Sequence, residues 1–309
     1  MSTILITGGT GLIGKRLVEM ATGKGYRVVI LSRTPRITTH PLVEYAQWDV
    51  AKQTIDKDAI AKADYIIHLA GAGVAAKRWT KKYQQEIIAS RTESSSLLVT
   101  ALQETPNQVK AVVSASATGW YGPDTTNSER EGFTEEAYPD NAFLGHTCCV
   151  WEESIQGVRE TGKRLLILRT GIVLSPSGGA LKAFLQPIRL GLAAILGTGK
   201  QMIPWIHIND MCRLYLAAIE NEAMTGVYNA VAPYPVSNQV LTIALARKLR
   251  GQWYLRIHIP AALLKLMLGQ MSVEVLQGTT VSCKKLIATG FAFSYPTLNA
   301  ALENLITNG

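Results

Sequence analysis

The stretch Thr3-Ile4-Leu5-Ile6-Thr7-Gly8-Gly9-Thr10-Gly11-Leu12-Ile13-Gly14-Lys15-Arg16-Leu17 decides the fold. Thr3–Thr7 is a β-branched and apolar run of the kind that forms a strand covered on both faces. An amphipathic helical pattern starts at Leu12 and runs to Thr22. Between the two, Gly8, Gly11 and Gly14 stand three apart. One such glycine permits a tight turn, one lets the backbone approach a pyrophosphate, and one lets helix and strand pack closely. The helix start then turns unpaired N–H groups and a positive dipole end toward the phosphates. Gly8, Thr10, Gly11, Leu12, Ile13 and Gly14 are therefore the expected cofactor-holding turn.

A second strand, Arg27–Leu31, follows at the distance that a dinucleotide-binding βαβ unit requires. An acidic residue at its end would hydrogen-bond a ribose 2′-hydroxyl and favour NAD. This chain has Ser32-Arg33 there. A hydroxyl and a guanidinium suit a 2′-phosphate, so NADP is expected over NAD, a plain surface charge being the other reading of Arg33. Asp49, past the third strand, either meets the adenine edge or closes a turn.

Further strands are expected at Glu44–Gln47, Tyr65–Leu69, Val109–Ala115, Leu165–Arg169 and Val227–Ala230. Helices are expected near Trp79–Gln103, Phe143–Thr161 and Asp210–Asn221. Strands alternating with helices give an α/β, doubly wound parallel Rossmann sheet. After Val231 the rhythm breaks at Pro233 and Pro235, and the remainder reads as mostly helical, with Pro260–Gly269 and Asn299–Ile306 clearest. The expectation is a nucleotide-binding domain over residues 1–232 and a smaller, mostly helical substrate domain over 233–309. Gly197–Lys200 and Trp205 would help close the substrate side.

Composition narrows the classes. Of 309 residues, 47% are hydrophobic and 17% charged, which excludes a disordered chain. No apolar run is long enough for a membrane span, and the N-terminus enters a strand directly, without a signal-peptide pattern. Cys148, Cys149, Cys212 and Cys283 have neither metal-ligand nor small-scaffold spacing, so reduced thiols, a cytoplasmic setting and no metal are expected. The net charge is +8, but the cations are dispersed. The densest group, Lys77, Arg78, Lys81 and Lys82, reads as a solvated helix face or an anion site. No nucleic-acid or membrane partner is expected; a homodimer is one assembly the reading allows.

The motifs taken in order resemble an extended short-chain dehydrogenase/reductase of the epimerase branch, in the group with a small C-terminal domain of unknown function. They are Ile6–Gly14, His68-Leu69-Ala70-Gly71, Lys77-Arg78-Trp79, Ser90-Arg91, Ala115–Gly122, Trp151-Glu152, Leu168–Leu174, Trp205–Asp210, Ala288–Phe291 and Tyr295–Leu298. The resemblance implies that Leu69, Ala70 and Gly71 pack beside the adenosine half of a cofactor. It also implies that Glu86 and Arg91, on the next long helix, contribute, with Arg91 facing ribose and phosphates, and that Val173 passes near the nicotinamide. A solvated helix face is the other reading for Glu86 and Arg91, and core packing for Val173. His207 and Asp210 are expected to position a helix, and His68 to be a core histidine.

The superfamily's proton-transfer pair is a tyrosine and a lysine one helical turn apart. With Glu152 aligned to that helix's glutamate, the lysine position falls on Cys148 and the tyrosine position on Leu144. Neither residue can replace its counterpart. The superfamily serine is matched by Ser116, allowing one extra residue, or otherwise by Ala117; a capped strand end is the other role for Ser116. Tyr121 and Ser116 remain as candidate catalytic groups that could orient a carbonyl. Three functions follow. They are an NADP-dependent oxidoreductase on an unknown small molecule, a non-catalytic NADPH-responsive binding protein, and a nucleotide-sugar epimerase or dehydratase with displaced catalytic residues.

Overall fold

In the computed structural model, which describes residues 1–307, the opening stretch forms strand β1 (Thr3–Thr7) and helix α1 (Leu12–Gly23). β2 (Arg27–Ser32), β3 (Val43–Asp49) and β4 (Thr54–Ile55) follow, then α2 (Lys57–Lys62), β5 (Tyr65–His68) and α3 (Lys81–Glu104). β6 (Ala111–Ala117), α4 (Thr126–Glu131), α5 (Phe143–Ser154) and β7 (Arg164–Thr170) complete the wound part with an edge strand, Gly226–Ala230. The sheet order from that edge is Gly226–Ala230, β7, β6, β5, β1, β2, β3, β4. All neighbours are parallel except the β3–β4 hairpin. The chain winds one way from β1 through β2 and the other way from β5, so the switch point lies between β1 and β5, where α/β sheets bind ligands.

Alternation along β1 explains the two layers. Ile4 and Ile6 face α1 and the helix Ile208–Glu220 with Leu17, Val28, Ile30 and Leu216. Leu5 faces the other way, toward α2 and α3, with Val29, Leu31, Ile60, Leu97 and Leu98. Burial on both faces makes these strands continuously apolar rather than alternating.

The remainder is mostly helical, as expected, with helices Asn238–Arg250, Ala261–Leu268, Ser272–Leu276, Lys284–Ala288 and Leu298–Thr307, but it also adds two short strands outside that expectation. Residues Leu192–Leu196 leave the main sheet and pair in parallel with Leu255–Ile259, while Met202-Ile203 pairs antiparallel with Val236-Ser237. Helices Ala180–Arg189 and Asn238–Arg250 pack against this small sheet. Leu255-Arg256-Ile257-His258-Ile259 carries the period-2 pattern of a strand, and its partner lies about 60 residues away in sequence, beyond the reach of local pattern. The expected helices near 260–269 and 299–306 occur as Ala261–Leu268 and Leu298–Thr307.

Candidate functional site

Thr7, the last residue of β1, fixes the neighbouring turn. Its Oγ1 accepts from the amides of Leu69 at 3.0 Å and Ala70 at 3.1 Å. Its own proton is thereby left for His68 Nδ1, 2.8 Å away, which puts the imidazole proton on Nε2 toward Ser95 Oγ at 3.2 Å. His68 is fully buried, and desolvation holds it neutral by lowering its pKa to about 4. It works as the core histidine the sequence suggested. The turn Leu69-Ala70-Gly71 is thus pinned against β1 across the switch point.

The glycines have distinct jobs. Gly8 adopts φ +68°, and a Cβ there would lie 2.9 Å from the Leu69 carbonyl. A Cβ on Gly14 would lie 2.3 Å from the Gly8 carbonyl oxygen, so α1 can start this close to β1 only with glycine there. The N-cap of α1 is Gly11, with no side-chain cap and no acidic residue in the first turn. Among the described residues the amides of Leu12, Ile13 and Gly14 meet no protein acceptor. Three unpartnered donors at a positive helix end form an anion cradle.

A cleft of about 630 Å³ opens beside this turn, between Thr10–Leu12, the loop Ser175–Gly179 and Asn209, with Lys15 and Arg16 on its rim. The loop overhangs Leu12: Cβ atoms on Gly178 and Gly179 would lie 3.7 and 3.1 Å from its methyl carbons. Val173 sits in the strand Ile172–Leu174 that feeds this loop, half-buried and packed against the main core.

At the end of β2, Ser32 is buried, and its Oγ accepts from the Thr34 amide at 3.4 Å. Arg33 is exposed and makes no ion pair among the described residues. Asp49 closes a turn, accepting from the Lys52 amide at 3.2 Å. Glu86 is exposed and pairs with Lys77 at 3.4 Å, a surface contact that costs little to break.

Arg91 is buried beneath Gly71, where a Cβ would lie 3.2 Å from its Cζ. Its Nη1 donates to the Ile87 carbonyl at 2.8 Å, and the guanidinium lies 4.8 Å from the Trp151 ring centroid. Among the described residues it has no carboxylate partner. Burial lowers its pKa, partly opposed by nearby Cys148. A cation therefore stands beside the helix position that lacks its lysine.

The opposite wall is built differently. Leu144 packs where a Cβ on Gly119 would be, 3.1 Å from its own Cβ. Cys148 is buried, with Sγ 3.6 Å from the Ala117 carbonyl. Burial, with Glu152 next, pushes its thiol up to about 12, against the pull of Arg91, so it stays neutral. Ser116 is only 3% exposed and donates to Glu152 Oε1 at 2.6 Å. Glu152 in turn receives two hydrogen bonds from Arg169, at 2.9 and 3.0 Å. Tyr121 donates to Asn229 Oδ1 at 2.7 Å and accepts from Arg169 Nη1 at 3.0 Å. Burial pushes this phenol up to about 12.

The hydroxyls of both candidate catalytic groups, Ser116 and Tyr121, are engaged in a buried network. The sequence reading missed that network, Ser116–Glu152–Arg169–Tyr121–Asn229. Its one visible signal is an arginine ending the apolar run Leu165–Leu168. His207 and Asp210 also work structurally. His207 Nδ1 accepts from the Asn209 amide at 3.0 Å, and Asp210 accepts from the amides of Ser294 and Tyr295 at 2.8 Å.

A switch-point turn with an open helix start defines a Rossmann-type nucleotide-binding protein of the extended short-chain dehydrogenase/reductase kind. The family model for the NAD dependent epimerase/dehydratase family matches residues 4–230, and a domain of unknown function (DUF1731) matches 259–305. The chain belongs to the NAD-dependent epimerase/dehydratase family.

It is 36% identical over 310 residues to the epimerase family protein SAR0825 of Staphylococcus aureus, covering 99% of this chain and 100% of that one. Among solved structures it is similar to the human epimerase family protein SDR39U1 (isoform 2) with NADPH, at TM-score 0.86 and 29% identity, covering 99% of this chain and 100% of the other. It also resembles a nucleoside-diphosphate sugar epimerase from Corynebacterium glutamicum at TM-score 0.78 and 28% identity, covering 99% of this chain but 58% of that longer one.

Proposed function

We propose that this protein is an NADP-dependent oxidoreductase acting on a small molecule, in which no side chain of α5 or β6 relays the proton. The observation that carries the reading is the uncapped start of α1, whose Leu12, Ile13 and Gly14 amides have no acceptor among the described residues. They would hold the pyrophosphate together with Gly8, Thr10 and Gly11. Ser32 and Arg33 would hold the 2′-phosphate, and Leu69, Ala70 and Gly71 would pack beside the adenosine half. Arg91 would face the ribose from beneath Gly71, with Glu86 nearby on the same helix and Val173 beside the nicotinamide. Residues 1–232 would carry this nucleotide and 233–309 would close the substrate side. The similarity to a human family member solved with NADPH supports the choice of cofactor.

The bound nucleotide supplies or accepts the hydride. Water or the substrate would exchange the accompanying proton, since Leu144 has none to give and Cys148 keeps its own. Calorimetry should find NADPH bound more tightly than NADH, with Arg33→Ala removing roughly tenfold of that preference. Comparable affinities in the unaltered protein would refute the assignment of Arg33. Turnover is tested by NADPH oxidation against aldehydes, ketones and quinones.

A second reading is favoured by the internal commitment of Ser116 and Tyr121: a protein that binds NADPH and signals its occupancy to a partner without turnover. It expects tight NADPH binding, no oxidation across the panel, and partner association that depends on the nucleotide. Identical pull-downs with and without NADPH would exclude it.

A further inference from the structure

The small parallel sheet ends in a tip whose composition differs from the rest of the surface. Its two strands start at the same end, tied by the Leu255 amide donating to the Gly191 carbonyl at 2.8 Å. Leu190 and Trp253, on the turns entering those strands, are 79% and 87% exposed, and Leu255 is 62% exposed. Three large apolar side chains thus stand exposed at one end of the sheet.

The strands and helices that build the tip carry cations and no carboxylate of their own. No Asp or Glu occurs between Glu160 and Asp210, or between Glu222 and Glu274, the two stretches that build this sheet and its helices. Arg189 adjoins Leu190, and a Cβ on Gly191 would lie 3.5 Å from Arg250 Nη2. Arg256 lies 5.9 Å from the Tyr254 ring centroid, and Arg247 also reaches Tyr254. Among the described residues these four arginines make no ion pair, whereas neighbouring Lys248 pairs with Glu303.

We propose that this tip is an interfacial contact for an anionic bilayer. Trp253, Leu190 and Leu255 would enter the headgroup boundary, and Arg189, Arg250 and Arg256 would meet lipid phosphates. Convex apolar turns ringed by arginines suit a soft anionic surface, where tryptophan partitions to the boundary and each cation adds attraction. A second copy docked tip to tip would bring like charges together. No helix among the described residues is long and apolar enough to cross a bilayer, so the contact would be peripheral. This departs from the sequence expectation of no membrane partner, which rested on the lack of a spanning segment.

The test is co-sedimentation of the full chain with vesicles of equal parts phosphatidylcholine and phosphatidylglycerol, against pure phosphatidylcholine. Binding is expected to the charged vesicles only and to weaken with salt. It should fall roughly tenfold in Trp253→Ala and roughly fivefold in each of Arg250→Gln and Arg256→Gln. All three sites are exposed, so thermal midpoints should match the unaltered protein and exclude misfolding as the cause. Absent binding, equal binding to both vesicle types, or partition indifferent to the substitutions would overturn the proposal. So would a nucleic-acid duplex that displaces the vesicles, or a dimer that Trp253→Ala dissolves.

Discussion

The two walls that meet at the strand ends treat their polar groups in opposite ways. On the β1–α1 side, among the described residues, the amides of Leu12, Ile13 and Gly14 have no partner and Arg33 has no carboxylate beside it. On the β6–α5 side the hydroxyl and carboxylate groups are tied to one another: Ser116 to Glu152, Glu152 to Arg169, and Tyr121 to Asn229. An unpartnered donor at a surface cleft is tolerable because water or a ligand can satisfy it, whereas a buried one must be satisfied internally. The fold therefore keeps its means of gripping a nucleotide. The β6–α5 wall joins its polar groups into an internal brace.

Removing one member of that brace gives the largest expected effect. Glu152→Ala would leave Arg169 buried without its carboxylate, which costs about 3–5 kcal/mol. Chemical denaturation measures this directly, and a loss under about 1 kcal/mol would mean the ion pair does not hold α5 to the sheet.

Next comes acid sensitivity. His68 is about 4 in the folded chain against 6.5 when free. Its folded pKa is depressed, so its contribution is whole above pH 6.5 and is lost as pH falls toward 4, where only the unfolded chain gains the proton. The drop should approach about 3 kcal/mol, the free-energy equivalent of that shift. His207, also lowered by burial, adds in the same direction. A stability curve flat over this window would contradict the buried neutral imidazole bonded to Thr7 Oγ1.

How far each wall could be read from sequence follows from contact range. The glycine turn is local: strand, turn and helix start lie within fifteen residues, and each glycine's role follows from its spacing. The wound sheet was legible because both faces of β1, β5 and β7 are apolar without interruption. The brace was not legible. Ser116 reaches Glu152 across 36 positions and Tyr121 reaches Asn229 across 108, and serine or tyrosine at those sites looks the same whether it faces a substrate or an ion pair. The small sheet was missed for the same reason. Leu255–Ile259 alternates as a strand does, but its partner Leu192–Leu196 lies about 60 residues away, beyond the reach of local pattern.

A smaller effect sharpens the contrast on the nucleotide side. Gly14→Ala would force a methyl to 2.3 Å from the Gly8 carbonyl oxygen, while Gly11→Ala would meet the same atom at 3.2 Å. The first should cost about 1–3 kcal/mol and displace the start of α1, weakening NADPH binding. The second should be milder in stability. Equal losses in the two variants would show that close approach of helix and strand is not what Gly14 provides.

The smallest effect discriminates best. Ser116→Ala removes one hydrogen bond to a carboxylate that keeps both bonds from Arg169, so the loss should be about 1 kcal/mol or less. A structural serine leaves NADPH affinity and any turnover per folded molecule unchanged. A reacting serine would do the reverse, lowering kcat in a variant whose melting curve hardly moves. Denaturation and steady-state kinetics on the same preparation separate the two. A selective loss of kcat would return Ser116 to the reacting wall and end the division between a gripping side and a bracing side.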